Sequence, residues 1–193
     1  MDVHQFCAEI FQLHDVELSR KMEQAGKIRK VRKGEVLIHA GERQLEATFL
    51  VAGLFRGYFL DPEGKEITDC FAYRCGDFVM CCHSMNDVAH ITLEALEESE
   101  IFCISFEYIH GLLQEHTEMG VLYCRMLTKS LQMHWGSKVA LTRYSASQRY
   151  QWFLEEYPGV IDLVKKKYVA SFLNLTPQTL SLQRKNAKEA VGG

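Results

Sequence analysis

Turn residues recur every 8 to 12 positions between Ile28 and Ser105, and this spacing constrains the fold more than any other feature of the chain. The punctuation falls at Lys33-Gly34, Ala40-Gly41-Glu42, Ala52-Gly53, Asp61-Pro62-Glu63-Gly64 and Cys75-Gly76-Asp77. The runs between are short and rich in Val, Ile, Thr, Phe and Tyr, which pleated backbone favours. Connections this short join antiparallel neighbours, so the segment predicts a jelly roll or barrel. Alternation in Thr48-Phe49-Leu50-Val51 and in Leu54-Phe55-Arg56-Gly57-Tyr58-Phe59 predicts strands with one buried face.

On both sides of this segment the apolar period is helical. Phe6, Ile10, Phe11, Leu13 and Leu18 mark short helical pieces in the first 25 residues. From Ser105 the helical period returns and, starting at Thr117-Glu118, carries Met119, Leu122, Met126, Leu127, Leu131, Trp135 and Val139 over about seven turns. These positions are too broad for one seam. One face would lie on the roll and another on a second copy of the helix, so a homodimer is expected. Ser145-Ala146-Ser147-Gln148 then opens a further helix that Pro158-Gly159 ends.

Composition excludes several classes. With 193 residues, 47% hydrophobic, the chain buries a sizeable core and is not disordered. Its longest apolar stretch, Ala47 to Phe55, is about half of the roughly 20 residues a membrane span needs. The start, Met1-Asp2-Val3-His4-Gln5, lacks the basic and apolar blocks of a secretory signal, so a soluble, cytoplasmic protein is expected. The 7 Cys would then be thiols or ligands rather than disulfides. Charge is divided unevenly: residues 1–142 carry 14 Lys plus Arg against 21 Asp plus Glu, and residues 143–193 carry 8 against 4. The basic end is the candidate for a polyanion.

Within that end, residues 169–185 have the features of a helix-turn-helix. Ala170 is small where two helices cross, Asn174 tolerates the left-handed conformation, and Leu175 fills the space between the helices. Thr176 caps the second helix and Pro177 opens it, where the missing N–H costs nothing. Leu173, Leu175 and Leu180 form the small core. Gln178, Thr179, Ser181, Gln183, Arg184 and Lys185 remain as a polar face. A helical hairpin without a ligand is the plainer alternative, and Lys165-Lys166-Lys167 reads as a solvated face or as phosphate contacts.

Taken in order, the phrase Lys33-Gly34-Glu35-Val36-Leu37-Ile38-His39-Ala40-Gly41-Glu42, the Gly76-Asp77-Phe78 turn, the long helix, Arg149 to Pro158, and Tyr168 to Ser181 resemble the Crp/Fnr family of bacterial transcription regulators. The resemblance implies an α+β fold. It has an N-terminal antiparallel double-stranded β-helix or jelly roll of the cyclic-nucleotide-binding type, a long dimerisation helix, and a C-terminal winged-helix-like helix-turn-helix. The corresponding division is 1–116 for effector sensing, 117–142 for dimerisation and 143–193 for DNA binding. It also implies a homodimer whose second motif helix enters the major groove at two half-sites about one helical turn apart.

The chain departs from the family in four places. Members that bind cyclic nucleotide follow their Gly-Glu with an Arg-Ser pair, whereas here Gly76-Asp77 is followed by Asp87-Val88-Ala89-His90, with no arginine from Cys75 to Cys124. A half-buried phosphate needs a charge-assisted donor, so cyclic AMP is not the expected effector. The iron-sulfur members' closely spaced N-terminal cysteines are also missing. Cys70, Cys75, Cys81 and Cys82 with His83 fit no common zinc or cluster spacing and read as small buried thiols, with a redox, haem or metal role as the alternative. In the reading helix, Gln178 and Leu182 stand where relatives often have Glu and Arg; Gln178 suits adenine, and Leu182 offers only apolar contact, for instance to a thymine methyl. Few residues follow Lys188, so a helix-turn-helix lacking a full wing is expected.

The resulting expectation is a homodimeric, sequence-specific regulator of double-stranded DNA sensing an unidentified small effector. Its DNA-binding residues would be Thr176, Pro177, Gln178, Thr179, Ser181, Leu182, Arg184 and Lys185. Its effector-binding residues would be Gly76, Asp77, Phe78, Val88, Ala89, His90 and Tyr123. The alternative is a sensor or scaffold of the same fold that has lost DNA binding. No metal site, cofactor or membrane contact is predicted. An enzyme is not expected, because the chain has no His-x-His pair, no Gly-x-Ser-x-Gly and no phosphate-cradling Gly-rich loop.

Overall fold

The computed structural model describes residues 1–80 and 87–191. It divides into two compact units, Met1–Phe59 with Cys70–Ser130, and Leu60–Asp69 with Leu131–Gly193. Helix α1 (Val3–Phe6), a π-helical turn (Cys7–Phe11) and α2 (Val16–Ala25) precede seven strands. The strands are β1 (Lys27–Val31), β2 (Val36–Ile38), β3 (Glu46–Ala52), β4 (Phe55–Leu60), β5 (Glu66–Ala72), β6 (Thr92–Ala95) and β7 (Ser99–Ser105). After them come α3 (Phe106–Glu115), α4 (Thr117–Arg143), α5 (Ala146–Glu156), α6 (Val160–Leu163), α7 (Lys166–Phe172) and α8 (Pro177–Val191).

The strands form two sheets ordered β1-β7-β3 and β2-β6-β4-β5. The pairs β1–β7, β3–β7, β2–β6 and β4–β6 are antiparallel, and none of the four joins consecutive strands, so long-range pairing rather than the short turns sets them. The burial of β3 differs from the sequence expectation. The alternation at Thr48–Val51 predicts one wet face, yet β3 is buried from Ala47 to Val51. The reason is a second layer. Ala47, Phe49 and Val51 join a core with Phe6, Phe11, Leu18, Met22 and Phe102 from the helical pieces and β7, while Leu50 joins Val31, Phe55, Ile101 and Cys103 inside the roll. Register aligns the two sets, Phe49 opposite Phe102 and Leu50 opposite Ile101, so the three-stranded sheet separates two cores. Gly26 and Gly53 are fixed by close approach: a Cβ on Gly26 would lie 2.3 Å from the Phe102 ring, and one on Gly53, at φ +108°, would lie 2.1 Å from the Ser99 oxygen.

A polar cluster fastens the N-terminal helices to the start of α4. The Asp15 carboxylate caps α2 by accepting from the N–H of Glu17 at 2.9 Å and of Leu18 at 3.0 Å, and it also meets His116 Nδ1 at 2.8 Å. Glu118 accepts from the N–H groups of His14 at 2.7 Å and Asp15 at 2.6 Å. Backbone donors hold both carboxyls below their ordinary pKa, with the Leu18 N–H the largest cause for Asp15 and the His14 N–H for Glu118. A carboxyl whose folded pKa is depressed stabilises the fold above its ordinary value and loses that contribution as pH falls through it toward the folded value. Thermal melting followed from about pH 6 down to about pH 3 is therefore expected to fall steeply across the carboxylate range. Glu118→Gln should lower the plateau and flatten the slope, whereas parallel curves for the two proteins would exclude this linkage.

Unit two contains the C-terminal helices and the tip of the β4–β5 hairpin. Ser145 opens α5 with a full capping box, its oxygen accepting from Gln148 N–H while the Gln148 side chain accepts from Ser145 N–H. Trp152, Phe153, Tyr157 and Phe172 pack as an aromatic cluster, with Trp152 and Phe172 stacked at 6.0 Å. Ser171 on α7 binds Thr68 of the hairpin: the two hydroxyls are 2.8 Å apart, and Thr68 N–H donates to the Ser171 oxygen at 3.2 Å.

Candidate nucleic-acid interface

Local chemistry sets the angle between α7 and α8. Helix α7 ends at Phe172, after which Asn174 takes φ +50° and Leu175 N–H returns to the Ala170 carbonyl at 2.8 Å, closing the helix end. Arg149 on α5 reinforces this turn by donating Nη1 to the carbonyls of Leu173 at 2.7 Å and Asn174 at 3.2 Å. Thr176 then caps α8, its oxygen accepting from Thr179 N–H at 3.1 Å, and Pro177 is the first helical residue. Ala170, Leu173 and Leu180 are buried between the helices. Asn174, Thr176 and Pro177 stand where the sequence places them. Arg149 is the part that sequence reasoning missed, because its partners are main-chain carbonyls 24 and 25 residues away.

The solvent face of α8 carries Gln178, Ser181, Leu182, Lys185, Asn186 and Glu189, a helical spacing of one stripe. Of the residues expected to meet DNA, Gln178, Ser181, Leu182 and Lys185 lie on this stripe, and exposed Thr176 and Pro177 begin the helix. Two others are turned to structural work. Thr179 is half-buried with its hydroxyl 2.9 Å from that of Thr176, and Arg184 donates Nη2 to Asp162 at 2.7 Å. Exposed Lys165, Lys166 and Lys167 stand at the start of α7, with the Lys165 and Lys167 ammonium groups 5.7 and 5.1 Å from the Tyr168 ring centre. Cations at a helix N-terminus oppose its dipole, so these lysines gain nothing from the dipole of α7.

Helix α4 shows a second exposed stripe. Val121, Leu131 and Trp135 are 63%, 69% and 61% exposed. With the exposed residues Cys124, Thr128, Lys138 and Thr142 they fall at intervals of three and four, the period of a two-helix seam. Met119 and Leu122 face the other way, into the core with Phe49 and Phe102.

The seven residues expected to hold an effector do not share one surroundings. Asp77 accepts from the N–H groups of Tyr73 at 3.1 Å and Arg74 at 2.9 Å and pairs with Lys129 of α4 at 3.0 Å. Gly76 takes φ +82° beside Ile10, and Phe78 packs on Phe49 at 5.0 Å, in the helical-layer core. Ala89 belongs to the core inside the roll and exchanges backbone bonds with Gly41 and Glu42, both at 2.7 Å. Val88 and His90 are exposed, and Tyr123 is half-buried. The ion pair from Asp77 to Lys129 ties the turn before this segment to the long helix.

Residues 28–116 match the family of cyclic nucleotide-binding domains. No curated protein matches the chain in sequence. Among solved structures, FixK2 from Bradyrhizobium japonicum is similar at a TM-score of 0.76, with 17% identity over 86% of this chain and 85% of that one. CLP of Xanthomonas campestris, described as a c-di-GMP responsive global regulator, aligns at 0.71, with 13% identity over 91% and 93% of the two chains. A putative transcriptional regulator of the Crp/Fnr family from Eubacterium rectale aligns at 0.69, with 14% identity over 94% and 87%. The fold is that of the Crp/Fnr regulators.

Against the Crp/Fnr fold, two groups of residues gain meaning. Arg56 is an arginine within the roll and only 1% exposed, but it pairs with Glu94 at 3.0 Å. Its neighbour Phe55 faces the roll interior, so Arg56 and its register partner Glu94 lie on the opposite side of the sheet. It therefore supplies no cation to the interior. Among the cysteines, Cys7 and Cys103 are buried thiols, and burial pushes Cys7 up to about 12 and raises Cys103 as well. Cys75 is exposed, and burial of its sulfur with nearby Glu9 and Asp77 raises it too. Such thiols are poor thiolate ligands at neutral pH. Cys81, Cys82 and His83 lie outside the described residues. Among the described residues no group of three His, Cys, Asp or Glu side chains is placed to hold a metal ion, and no helix is long and apolar enough to cross a membrane.

Proposed function

We propose that this chain is a homodimeric, sequence-specific DNA-binding transcription regulator. The observation that carries the reading is α8: a capped helix held by a tight turn, with an exposed polar stripe, in the same unit as the three exposed lysines that open α7. Lys165 to Lys167 and Lys185 supply phosphate contacts, and the first two turns of α8 face base edges in the major groove. The stripe on α4 is the seam of the dimer, which sets two reading helices across successive grooves. In this reading 1–116 senses, 117–142 dimerises and 143–193 binds DNA.

The sensed molecule is a small effector other than cyclic AMP. It acts on the 76–90 segment, and the Asp77–Lys129 ion pair, 3.0 Å long, is the route by which that segment biases α4. Phosphate contacts make binding salt-dependent, with a slope of about −0.9 in log–log form per neutralised phosphate. Fluorescence anisotropy of the full chain on labelled duplex, from about 50 to 200 mM salt, is expected to show a steep slope. The triple variant Lys165→Ala, Lys166→Ala, Lys167→Ala should flatten it by about one unit for each phosphate no longer neutralised and weaken all sequences alike. A flat response in the unaltered protein would favour the sensor or scaffold without DNA binding.

A further inference from the structure

The stripe on α8 bears on which bases are read, provided that α8 is the DNA-reading helix. Base edges are met by side chains of the first two turns of a reading helix. In those turns the solvent face offers Gln178, Ser181 and Leu182. The side chains that would widen this set are already committed. Thr179 belongs to the cap, with its N–H on Thr176 at 3.1 Å and its hydroxyl 2.9 Å from the same oxygen. Arg184, the only guanidinium on α8, points to the side of the helix and is held by Asp162 at 2.7 Å. Lys185 begins the third turn, beyond the base-reading turns, and serves the phosphates rather than a base edge. No bidentate donor of the kind that recognises the O6 and N7 acceptors of guanine therefore faces the groove from the reading turns.

What faces the groove is of a different kind. Gln178 carries an amide with both donor and acceptor, matched to the N6 and N7 of adenine. Leu182, 54% exposed in the middle of a polar stripe, presents a branched apolar end that no polar base edge satisfies. The major-groove group that it matches is the thymine C5-methyl. The two residues stand four apart on one face, about 6 Å along the axis, which spans one or two of the roughly 3.4 Å steps between stacked pairs.

We propose that each half-site is recognised through A·T pairs at adjacent or next-adjacent steps, with Gln178 on an adenine and Leu182 on a thymine methyl, and without a guanine contact from α8. Selection from a duplex library with a randomised core, using the full-length protein, tests this. Enriched half-sites should carry the A·T pairs. Replacing the critical thymine by uracil, which deletes the methyl alone, should weaken the unaltered protein about fourfold, one buried methyl's worth. The same change should leave Leu182→Ala unaffected. Replacing the adenine by 7-deazaadenine should weaken the unaltered protein about fivefold, one hydrogen bond's worth, and leave Gln178→Ala unaffected. Both side chains are exposed, so neither variant disturbs the core. Enriched sites that depend on a guanine N7, with uracil harmless, would overturn this inference and leave the regulator reading standing. A library with no enriched sequence would overturn both.

Discussion

Replacing Leu131 and Trp135 together by glutamate is expected to leave a folded chain that no longer dimerises and whose affinity for its operator duplex is lower by roughly 100-fold or more. Both side chains are more than half exposed and lie on the three-four stripe of α4, so the substitutions remove nothing from either core. In a symmetric pair each would be buried twice, once per copy, at about 1.5–3 kcal/mol for each large apolar side chain. Four buried carboxylates facing one another in the seam would reverse that gain. The effect at DNA exceeds that of any single side chain because the second half-site binds intramolecularly in a dimer and must bind independently in a monomer. Sedimentation velocity gives the mass and anisotropy the affinity. A variant that still sediments as a dimer would remove α4 as the seam, and a chain already monomeric without substitution would remove the operator geometry as well.

The second large effect belongs to the fold. Phe102→Ala should lower stability by about 3–5 kcal/mol, read as a shift of the urea midpoint at unchanged slope. Phe102 is fully buried, stacks on Phe6 at 4.8 Å, and meets Phe11 edge-on at 5.4 Å. It also fills the space that the missing Cβ of Gly26 leaves. The ring thus joins the N-terminal helices to the three-stranded sheet, and an alanine there leaves a cavity that the stiff sheet cannot close. Against a total of about 5–15 kcal/mol for an ordinary domain, such a change leaves the first unit marginal. A shift under about 1 kcal/mol would mean that the helical layer contributes little to the stability of the roll.

The two substitutions separate what each surface does. Leu131 and Phe102 are both large apolar residues in periodic segments, and nothing local distinguishes them. The distinction comes from what covers them.

The sequence by itself determined those features that a few neighbouring residues set. Turn spacing specified short strands of a jelly roll or barrel, since chain reversal every 8 to 12 residues leaves no length for a crossover helix, whereas the pairing of β7 with β1 and β3 and of β6 with β2 and β4 joins non-consecutive strands. Asn174, Thr176 and Pro177 announced the turn and the start of α8, because φ sterics, capping and the missing proline donor act within four residues. The α4 period, its start at Thr117 and the Ser145 helix start were equally local.

Only the tertiary structure decided which faces are covered and which donors are already engaged. Thr48 to Val51 looked half wet until helices from the far N-terminus were seen to cover the second face of β3. Arg184 looked free to meet DNA until folding brought Asp162 against it, and Asp77 looked free to meet an effector until Lys129 arrived from α4, 52 residues away. Burial and ion pairing depend on segments distant in the chain, and proximity in space is the one property that a linear pattern does not carry.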